Sequence, residues 1–116
     1  MQWASVGADG WHAVSVPITI GAVIMTALGE DTGGVIQDTL ARRLAWLIPA
    51  GGATGYRPPG DSIVVITDGG RLHVPGLARR DLIWWCLPPE PGRPLLTQAD
   101  HLIAAIAAAT AGRRPR

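Results

Sequence analysis

Residues 35–48, VIQDTLARRLAWLI, decide the fold of this chain. Two short runs, Val35 to Asp38 and Leu44 to Ile48, are joined by a polar corner from Thr39 to Arg43, and this arrangement predicts a β-hairpin. The second run is apolar at every position, whereas a strand with one face in water alternates apolar and polar residues. We therefore expect the hairpin to lie in a sheet that is covered on both faces.

Four further strands are predicted outside this hairpin. Two of these strands, Ile63 to Thr67 and Leu82 to Leu87, also have apolar side chains on both faces, over Ile63 to Ile66 in the first and throughout the second. The dipeptide Asp68-Gly69 is a strong turn signal, so Ile63 to Thr67 is predicted to form a hairpin with a returning strand over Arg71 to Val74. Trp11 to Val16 is predicted as a short strand at the beginning of the fold.

Two helices are predicted from their end signals. Pro17 suits the first turn of a helix that ends at Gly29. Thr97 opens a second helix, with Asp100 as an approximate capping box, and Gly112 ends it. The predicted order is β-α-β-β-β-β-β-α, which indicates an α+β fold with a mainly antiparallel sheet of five to six strands and two helices.

The length and charge of the chain limit its organisation and partners. A chain of 116 residues with 47% hydrophobic residues suits one α+β domain, placed over residues 1–112. Residues 113–116, RRPR, are predicted to be a disordered basic tail. Without the three tail arginines, seven arginines face nine acidic residues, a charge of −2. Nucleic acid is therefore not expected as a partner.

The composition excludes several other classes of protein. Lysine, phenylalanine and asparagine are absent, as is typical of a GC-rich genome, so the arginines are weak evidence for phosphate recognition. The single Cys86 excludes an internal disulfide and a zinc site built on paired cysteines. The histidines lack metal-ligand spacing, and we predict no cofactor and no metal. The longest apolar run, Ile18 to Leu28, is short for a membrane span and the first residues lack signal-peptide features, which predicts a cytoplasmic protein with no membrane partner.

Two helices cannot cover both faces of the predicted sheet if they pack on the same side. An apolar face of this size is not left in water. The N-terminal segment, the long loop from Pro49 to Asp61, a ligand or a second copy of the chain could cover it. We expect a homodimer, since two-fold self-association is the commonest solution. A ligand pocket beneath the long loop is the alternative.

The predicted site is a ligand-binding one, with no catalytic residue. Guanidinium groups near an aromatic ring suit anionic or planar ligands, and such groups occur in the hairpin corner and the long loop. Solvated loop residues and core tryptophans are the alternative interpretation. Cys86 lies in the middle of an apolar strand and is interpreted as a structural thiol. The predicted ligand-binding residues are Arg42, Arg43, Trp46, Tyr56, Arg57, His73 and Trp84.

Two stretches resemble a known family. Residues 43–51, RLAWLIPAG, resemble the strand and turn that follow the catalytic histidine in primase–polymerase domains of the archaeo-eukaryotic primase type. Residues 69–76, GGRLHVPG, resemble the later GG-x-x-x-x-PG turn of these domains. The wider arrangement, from WHAVSVP at 11–17 onward, also resembles a group of short actinobacterial proteins, some of them described as primase/polymerase-like.

The chain departs from this family at the residues that carry its chemistry. Arg42 and Arg43 stand where the family has its catalytic histidine. Asp38, beside Gln37, is the only carboxylate of the expected pair, and Asp68 is out of register with the later one. Two-metal phosphoryl transfer needs such carboxylates to hold its cations. The resemblance therefore implies a relative without polymerase chemistry.

These observations lead to two functional hypotheses. The first is a non-catalytic binding or regulatory accessory protein, which binds a nucleotide-like or other small anionic ligand, or a protein partner. The second is a small enzyme of specialised metabolism that acts on a hydrophobic substrate in a Trp-lined pocket. An enzyme should show a deep pocket that receives His12, His73 or an aspartate, whereas an interaction protein should bury the second sheet face against another chain.

Overall fold

Seven strands and two helices occur in the part of the chain that the computed structural model describes, residues 2–5, 10–75 and 82–111. The strands are β1 (Gln2–Ser5), β2 (Trp11–Pro17), β3 (Val35–Asp38), β4 (Arg43–Pro49), β5 (Val64–Ile66), β6 (Arg71–Val74) and β7 (Ile83–Leu87). The helices are α1 (Ile18–Leu28) and α2 (Ala99–Thr110), and a 3₁₀ turn (Gly29–Asp31) follows α1. The α+β class is confirmed. Gly112 and the predicted tail at 113–116 lie outside the described residues.

Five of the strands form one antiparallel sheet in the order β5-β2-β4-β3-β7. The predicted hairpin of β3 and β4 is confirmed, with a register that runs from Val35 opposite Trp46 to Asp38 opposite Arg43. β2 lies along the other side of β4 and pairs with all seven of its residues. The strand that is apolar throughout therefore occupies the centre of the sheet, as the pattern predicts.

Both helices pack on one face of this sheet, which we call the helix face. Its core is formed by fully buried side chains from both helices and from β2, β3 and β4, including Val14, Ile24, Trp46 and Ile106. The Trp46 indole N–H donates a hydrogen bond of 3.0 Å to the buried Thr32 hydroxyl. This bond satisfies the polar atom of a side chain that is otherwise surrounded by apolar groups.

The opposite face, which we call the second face, is covered by β6. Leu72 and Val74 of β6 pack against a buried cluster on this face that includes Leu47 and Trp85. The Trp85 indole N–H donates a hydrogen bond of 2.8 Å to the Pro75 carbonyl, which attaches the end of β6 to the sheet. The chain therefore covers much of its own second face.

This placement of β6 corrects the predicted hairpin between it and β5. β5 pairs with β2, whereas β6 pairs with β1 in a separate two-stranded sheet. The turn itself forms as the dipeptide suggests, since Gly69 has a φ of 87° and the Gly70 N–H donates to the Thr67 carbonyl at 3.0 Å. The chain then leaves the five-stranded sheet, and Leu72 and Val74 of β6 pack against the apolar cluster of the second face, where burial of apolar surface is favourable.

This arrangement removes the reason for expecting a homodimer through the second face. The expectation depended on a second face left bare by the two helices. That face contacts β6, and β6 pairs with β1 over four residues, from Gln2 opposite Val74 to Ser5 opposite Arg71. The N-terminal segment thus supports the covering strand, and we base no dimer on this face.

A bulge in β7 changes which face one of its residues occupies. Val35 lies opposite Leu87 and Ile36 opposite Trp85, so Cys86 is an extra residue in the register. Both Cys86 and Leu87 pack against the core of the helix face. Strict alternation along β7 would place Leu87 on the same face as Trp85, and the bulge interrupts this period of two. Burial raises the pKa of the Cys86 thiol, in keeping with a structural thiol.

The start of α2 also differs from the prediction. The helix begins at Ala99, and Thr97 makes no capping bond to it. The buried Thr97 hydroxyl instead accepts a hydrogen bond of 2.8 Å from the Gly33 N–H. The first helix is closer to expectation, since it follows Pro17 directly and ends before Gly29. No helix in the described ranges combines the length and the apolar character needed to cross a membrane.

Arg42 allows a simple test of the hairpin corner. It has a φ of 57°, in the left-handed region that glycine adopts without steric cost, and its side chain is exposed. We expect Arg42→Gly to raise the free energy of unfolding by about 1 kcal/mol in urea titrations. Arg43→Gly is the matched control and should lower it, because Arg43 lies in β4 and its side chain is hydrogen-bonded. An unchanged or lower stability of the Arg42 variant would contradict the assigned corner geometry.

Candidate functional site

A cavity of about 200 Å³ lies between the second face and β6, and we call it the second-face cavity. Its apolar wall includes Ile36, Ala45, Leu72 and Ile83. Ser15 and Ala45 lie directly opposite each other on β2 and β4, and Ile36 lies opposite Ala45 on β3. Two small side chains at the centre of the sheet leave the space that the cavity occupies.

Three charged side chains also line this cavity. Asp38 ends β3 and Arg43 begins β4, and the two residues are direct cross-strand partners. Arg71 comes from β6, on the other side of the cavity, and is exposed. The second-face cavity therefore combines an apolar wall with two cations and one anion.

The guanidinium of Arg43 is held in place by neighbouring oxygen atoms. Its Nε donates to the Ser15 hydroxyl at 2.7 Å, and its Nη2 donates to the Ser15 carbonyl at 2.8 Å. Nη2 also donates to the Ser62 carbonyl, at the end of the long loop. Among the described residues, Nη1 has no hydrogen-bond partner. The side chain is thus fixed while two of its N–H donors remain available at a cavity wall.

Asp38 is likewise attached to the backbone rather than to Arg43. Its Oδ1 accepts a hydrogen bond of 3.0 Å from the Ala41 N–H, within the turn that joins β3 to β4. The ion pairs in the described part of the chain are His12–Asp68 and Glu90–Arg93. Asp38 and Arg43 therefore lie opposite each other on neighbouring strands without forming a salt bridge.

A second cavity, of about 410 Å³, lies beside the long loop, and we call it the loop cavity. It is lined by His12, Tyr56 and Asp68, together with small loop residues. Burial raises the pKa of the Tyr56 phenol, so this group remains a protonated donor at neutral pH. Tyr56 is thus placed to donate a hydrogen bond and is poorly suited to act as a base.

His12 in the loop cavity is engaged at both ring nitrogens. Its Nδ1 accepts a hydrogen bond of 3.1 Å from the Gly51 N–H, which places the proton of a neutral ring on Nε2. Nε2 lies 2.8 Å from Oδ1 of Asp68. The imidazole therefore has no free lone pair for a substrate. It connects the long loop and the turn after β5 to β2.

The structure separates the residues that the sequence suggested as one arginine and tyrosine site. Arg42 and Arg43 are at the start of β4, whereas Tyr56 and Arg57 follow its end. β4 has seven residues, so its two ends are about 20 Å apart at the usual rise per residue. Arg43 lines the second-face cavity and Tyr56 lines the loop cavity. Arg42 and Arg57 are exposed.

The two predicted tryptophans and His73 are placed differently from these residues. Trp46 is 0% exposed and belongs to the core, so no ligand reaches it in this structure. Trp84 is partly buried in β7, opposite Gln37. The backbone of His73 is in β6, but its side chain lies outside the described residues.

Sequence reasoning missed Ser15 and Arg71 and interpreted Asp38 as turn chemistry. Ser15 did carry a signal, since it is a polar residue within a strand of otherwise apolar character on its sheet face. Arg71 carried no such signal in the sequence, because its position depends on β6 crossing the second face.

A third cavity, of about 250 Å³, lies between α1 and α2 and is lined mainly by alanines with Asp31 and His101.

Comparison with protein-family models, curated proteins and solved structures finds no significant match to this chain. The site must therefore be interpreted from its own chemistry. Within residues 10–75 and 82–111, no three histidine, cysteine, aspartate or glutamate side chains converge as a metal site would require. The resemblance to primase–polymerase domains stays a hypothesis from short motifs.

Proposed function

We propose that this chain is a non-catalytic binding module that takes a small ligand with an anionic group in the second-face cavity. The observation that carries the proposal is the hydrogen bonding of the Arg43 guanidinium. Ser15 and Ser62 hold its guanidinium at the cavity wall, and Nη1 has no partner among the described residues. A preoriented guanidinium is the side chain best suited to a planar carboxylate.

The size of the cavity favours a small organic anion. A protein cavity of about 150 Å³ accommodates benzene, so one of about 200 Å³ suits a molecule of about eight non-hydrogen atoms. Pockets for drug-sized ligands are larger, about 300–1,000 Å³. Among the ligands expected from the sequence, a small anion therefore fits this cavity better than a complete nucleotide.

Several groups that an enzyme could use are engaged elsewhere. Both ring nitrogens of His12 have partners, and burial raises the pKa of Cys86. The Ser15 hydroxyl accepts a hydrogen bond from a guanidinium, and no histidine is among the described side chains that line the second-face cavity. Among the residues whose side chains the structure describes, no tryptophan lines any of the three cavities. These placements support binding over the alternative of an enzyme with a Trp-lined pocket.

Binding without chemistry also agrees with what the family resemblance implies. The arginines that stand in place of the family's catalytic histidine include Arg43, the residue that lines the cavity. A regulatory or accessory role is part of this proposal: ligand binding between the sheet and β6 would stabilise the contact of β6 with the second face.

The proposal is tested by titration calorimetry with two carboxylates of suitable size, 4-methylpentanoate and L-leucine, and with the neutral 4-methylpentanol. We expect saturable binding of a carboxylate, with a dissociation constant of about 1 mM or lower. Arg43→Gln should weaken it about tenfold or more, because a hydrogen bond to a charged group is lost. Arg42→Gln is the matched control and should bind as the unchanged chain does, since its exposed side chain does not line the cavity.

Three results would overturn the proposal. These are no saturable binding of either carboxylate, equal binding of the alcohol, and equal losses in the Arg42 and Arg43 variants. Circular dichroism at the titration temperature confirms that each variant is folded. If Arg43→Gln does not fold, Arg71→Gln provides the second measurement, because Arg71 lines the same cavity and is exposed.

A further inference from the structure

We infer that the ligand of the second-face cavity is a zwitterion, a free α-amino acid with an aliphatic side chain. This inference rests on the proposed function and specifies the ligand class of the same site. Its basis is the arrangement of Asp38 and Arg43, which are opposite charges on directly paired residues that line one cavity and do not pair with each other.

The absence of an Asp38–Arg43 ion pair has a visible structural cause. Opposite charges on directly paired residues of an antiparallel sheet normally attract each other. Here Asp38 turns to the Ala41 N–H, and Arg43 turns to Ser15 and Ser62. Each charge is thus held by its own neutral partners. A molecule with one positive and one negative group can contact both at once.

The polar atoms of Arg43 and Asp38 that have no described hydrogen-bond partner match the carboxylate and the ammonium group of an amino acid. Nη1 of Arg43 has two N–H donors without a described partner, which suits a carboxylate. Oδ2 of Asp38 has no hydrogen bond in the described part of the chain, whereas Oδ1 is occupied by Ala41. Oδ2 can accept from an ammonium group. Arg71, on the β6 side of the cavity, adds a second positive charge for the carboxylate.

A simple anion would satisfy only part of this site. It would place a second negative charge beside the partly buried Asp38 carboxylate, and the repulsion between like charges at short range is a cost to binding. An ammonium group beside Asp38 removes this cost. The charges lining the cavity, two arginines and one aspartate, therefore favour a zwitterion over a simple carboxylate and disfavour a simple amine.

The apolar wall of the second-face cavity limits the kind of side chain that the bound amino acid can have. Ile36, Ala45, Leu72 and Ile83 present aliphatic groups, with no described aromatic ring among them. A volume of about 200 Å³ suits about eight non-hydrogen atoms by comparison with benzene. Valine and leucine are of this size, whereas tryptophan and arginine exceed it.

The test compares L-leucine with its two half-molecules, 4-methylpentanoate, which lacks the ammonium group, and isopentylamine, which lacks the carboxylate. Calorimetric titration of the full chain should show leucine binding about tenfold tighter than 4-methylpentanoate, and isopentylamine weaker than both. Asp38→Asn keeps the Oδ1 acceptor for the Ala41 N–H and removes the charge. It should weaken leucine binding about tenfold and leave 4-methylpentanoate binding equal or tighter. A tenfold change corresponds to about 1.4 kcal/mol.

Asp68→Asn is the matched control, because Asp68 is a largely exposed aspartate that lines the loop cavity and not the second-face cavity. It should leave leucine binding unchanged. If 4-methylpentanoate binds as tightly as leucine, or if Asp38→Asn keeps the preference for leucine, the zwitterion inference is wrong while the proposed function stands. If neither carboxylate binds, both are wrong. A thermal melt of Asp38→Asn verifies its fold, and the 4-methylpentanoate titration shows whether its cavity is intact.

Discussion

Trp46→Ala is expected to lower the free energy of unfolding by about 4 kcal/mol, because Trp46 is the largest fully buried side chain among the described residues. Trp46 lies in β4 at the centre of the sheet, opposite Val14 on one side and Val35 on the other. It is 0% exposed. Truncation would leave a cavity against the helices and remove the indole N–H that donates to Thr32.

Urea denaturation followed by far-UV circular dichroism measures this loss. Trp46→Phe is the milder variant, because it retains an aromatic ring in the core and removes the N–H donor together with part of the apolar surface. It should cost about 1–2 kcal/mol, and it gives a measurable value even if the alanine variant does not fold. A loss of less than about 1 kcal/mol in Trp46→Ala would contradict its position in the core.

Gly33→Ala is expected to lower the free energy of unfolding by about 3 kcal/mol, at the upper end of the usual cost of overpacking. A Cβ atom at Gly33 would lie 2.8 Å from both the carbonyl carbon and oxygen of Leu96 and 2.9 Å from the Pro94 carbonyl oxygen. These are backbone atoms, which cannot rotate away. Their segment is also fixed, since Gly34 N–H donates to the Pro94 carbonyl at 2.9 Å and Gly33 N–H donates to Thr97.

Gly92→Ala is the control for this substitution. Nothing lies within 4 Å of a Cβ at Gly92, so this variant should change stability by less than about 0.5 kcal/mol. Both variants are compared by thermal melting at one protein concentration. Equal melting temperatures for the two would show that the segment before α2 does not approach Gly33 as closely as the structure indicates.

Much of the fold was predictable from short-range patterns. The apolar runs at β4 and β7 and the hairpin of β3 and β4 were predicted with nearly correct bounds. Their signals are local, since each depends on side chains a few residues apart. β1 was missed because a strand of four residues carries little pattern of its own. The bulge at Cys86 was missed because nothing in an apolar run marks an extra residue.

The candidate site was predictable only in part. Arg43 was predicted to bind a ligand, but it was grouped with Tyr56 and Arg57, which the length of β4 places elsewhere. Asp38 and Arg43 are five residues apart in the sequence, and a hairpin of this kind would ordinarily pair their charges. The hydrogen bond of Asp38 to the Ala41 N–H is local turn chemistry, whereas the bond of Arg43 to Ser15 joins β4 to β2, and no local pattern encodes it.

The sequence by itself determined the α+β class and the order of most elements, because apolar periodicity and turn residues act within a few positions of each other. Only the tertiary structure decided that β6 leaves β5, pairs with β1 and covers the second face. It also decided that Arg71 faces Asp38 and Arg43 across one cavity. The physical reason is that burial is shared between distant segments. A strand such as β6 joins whichever apolar surface buries it best, and that surface exists only after the rest of the chain has folded.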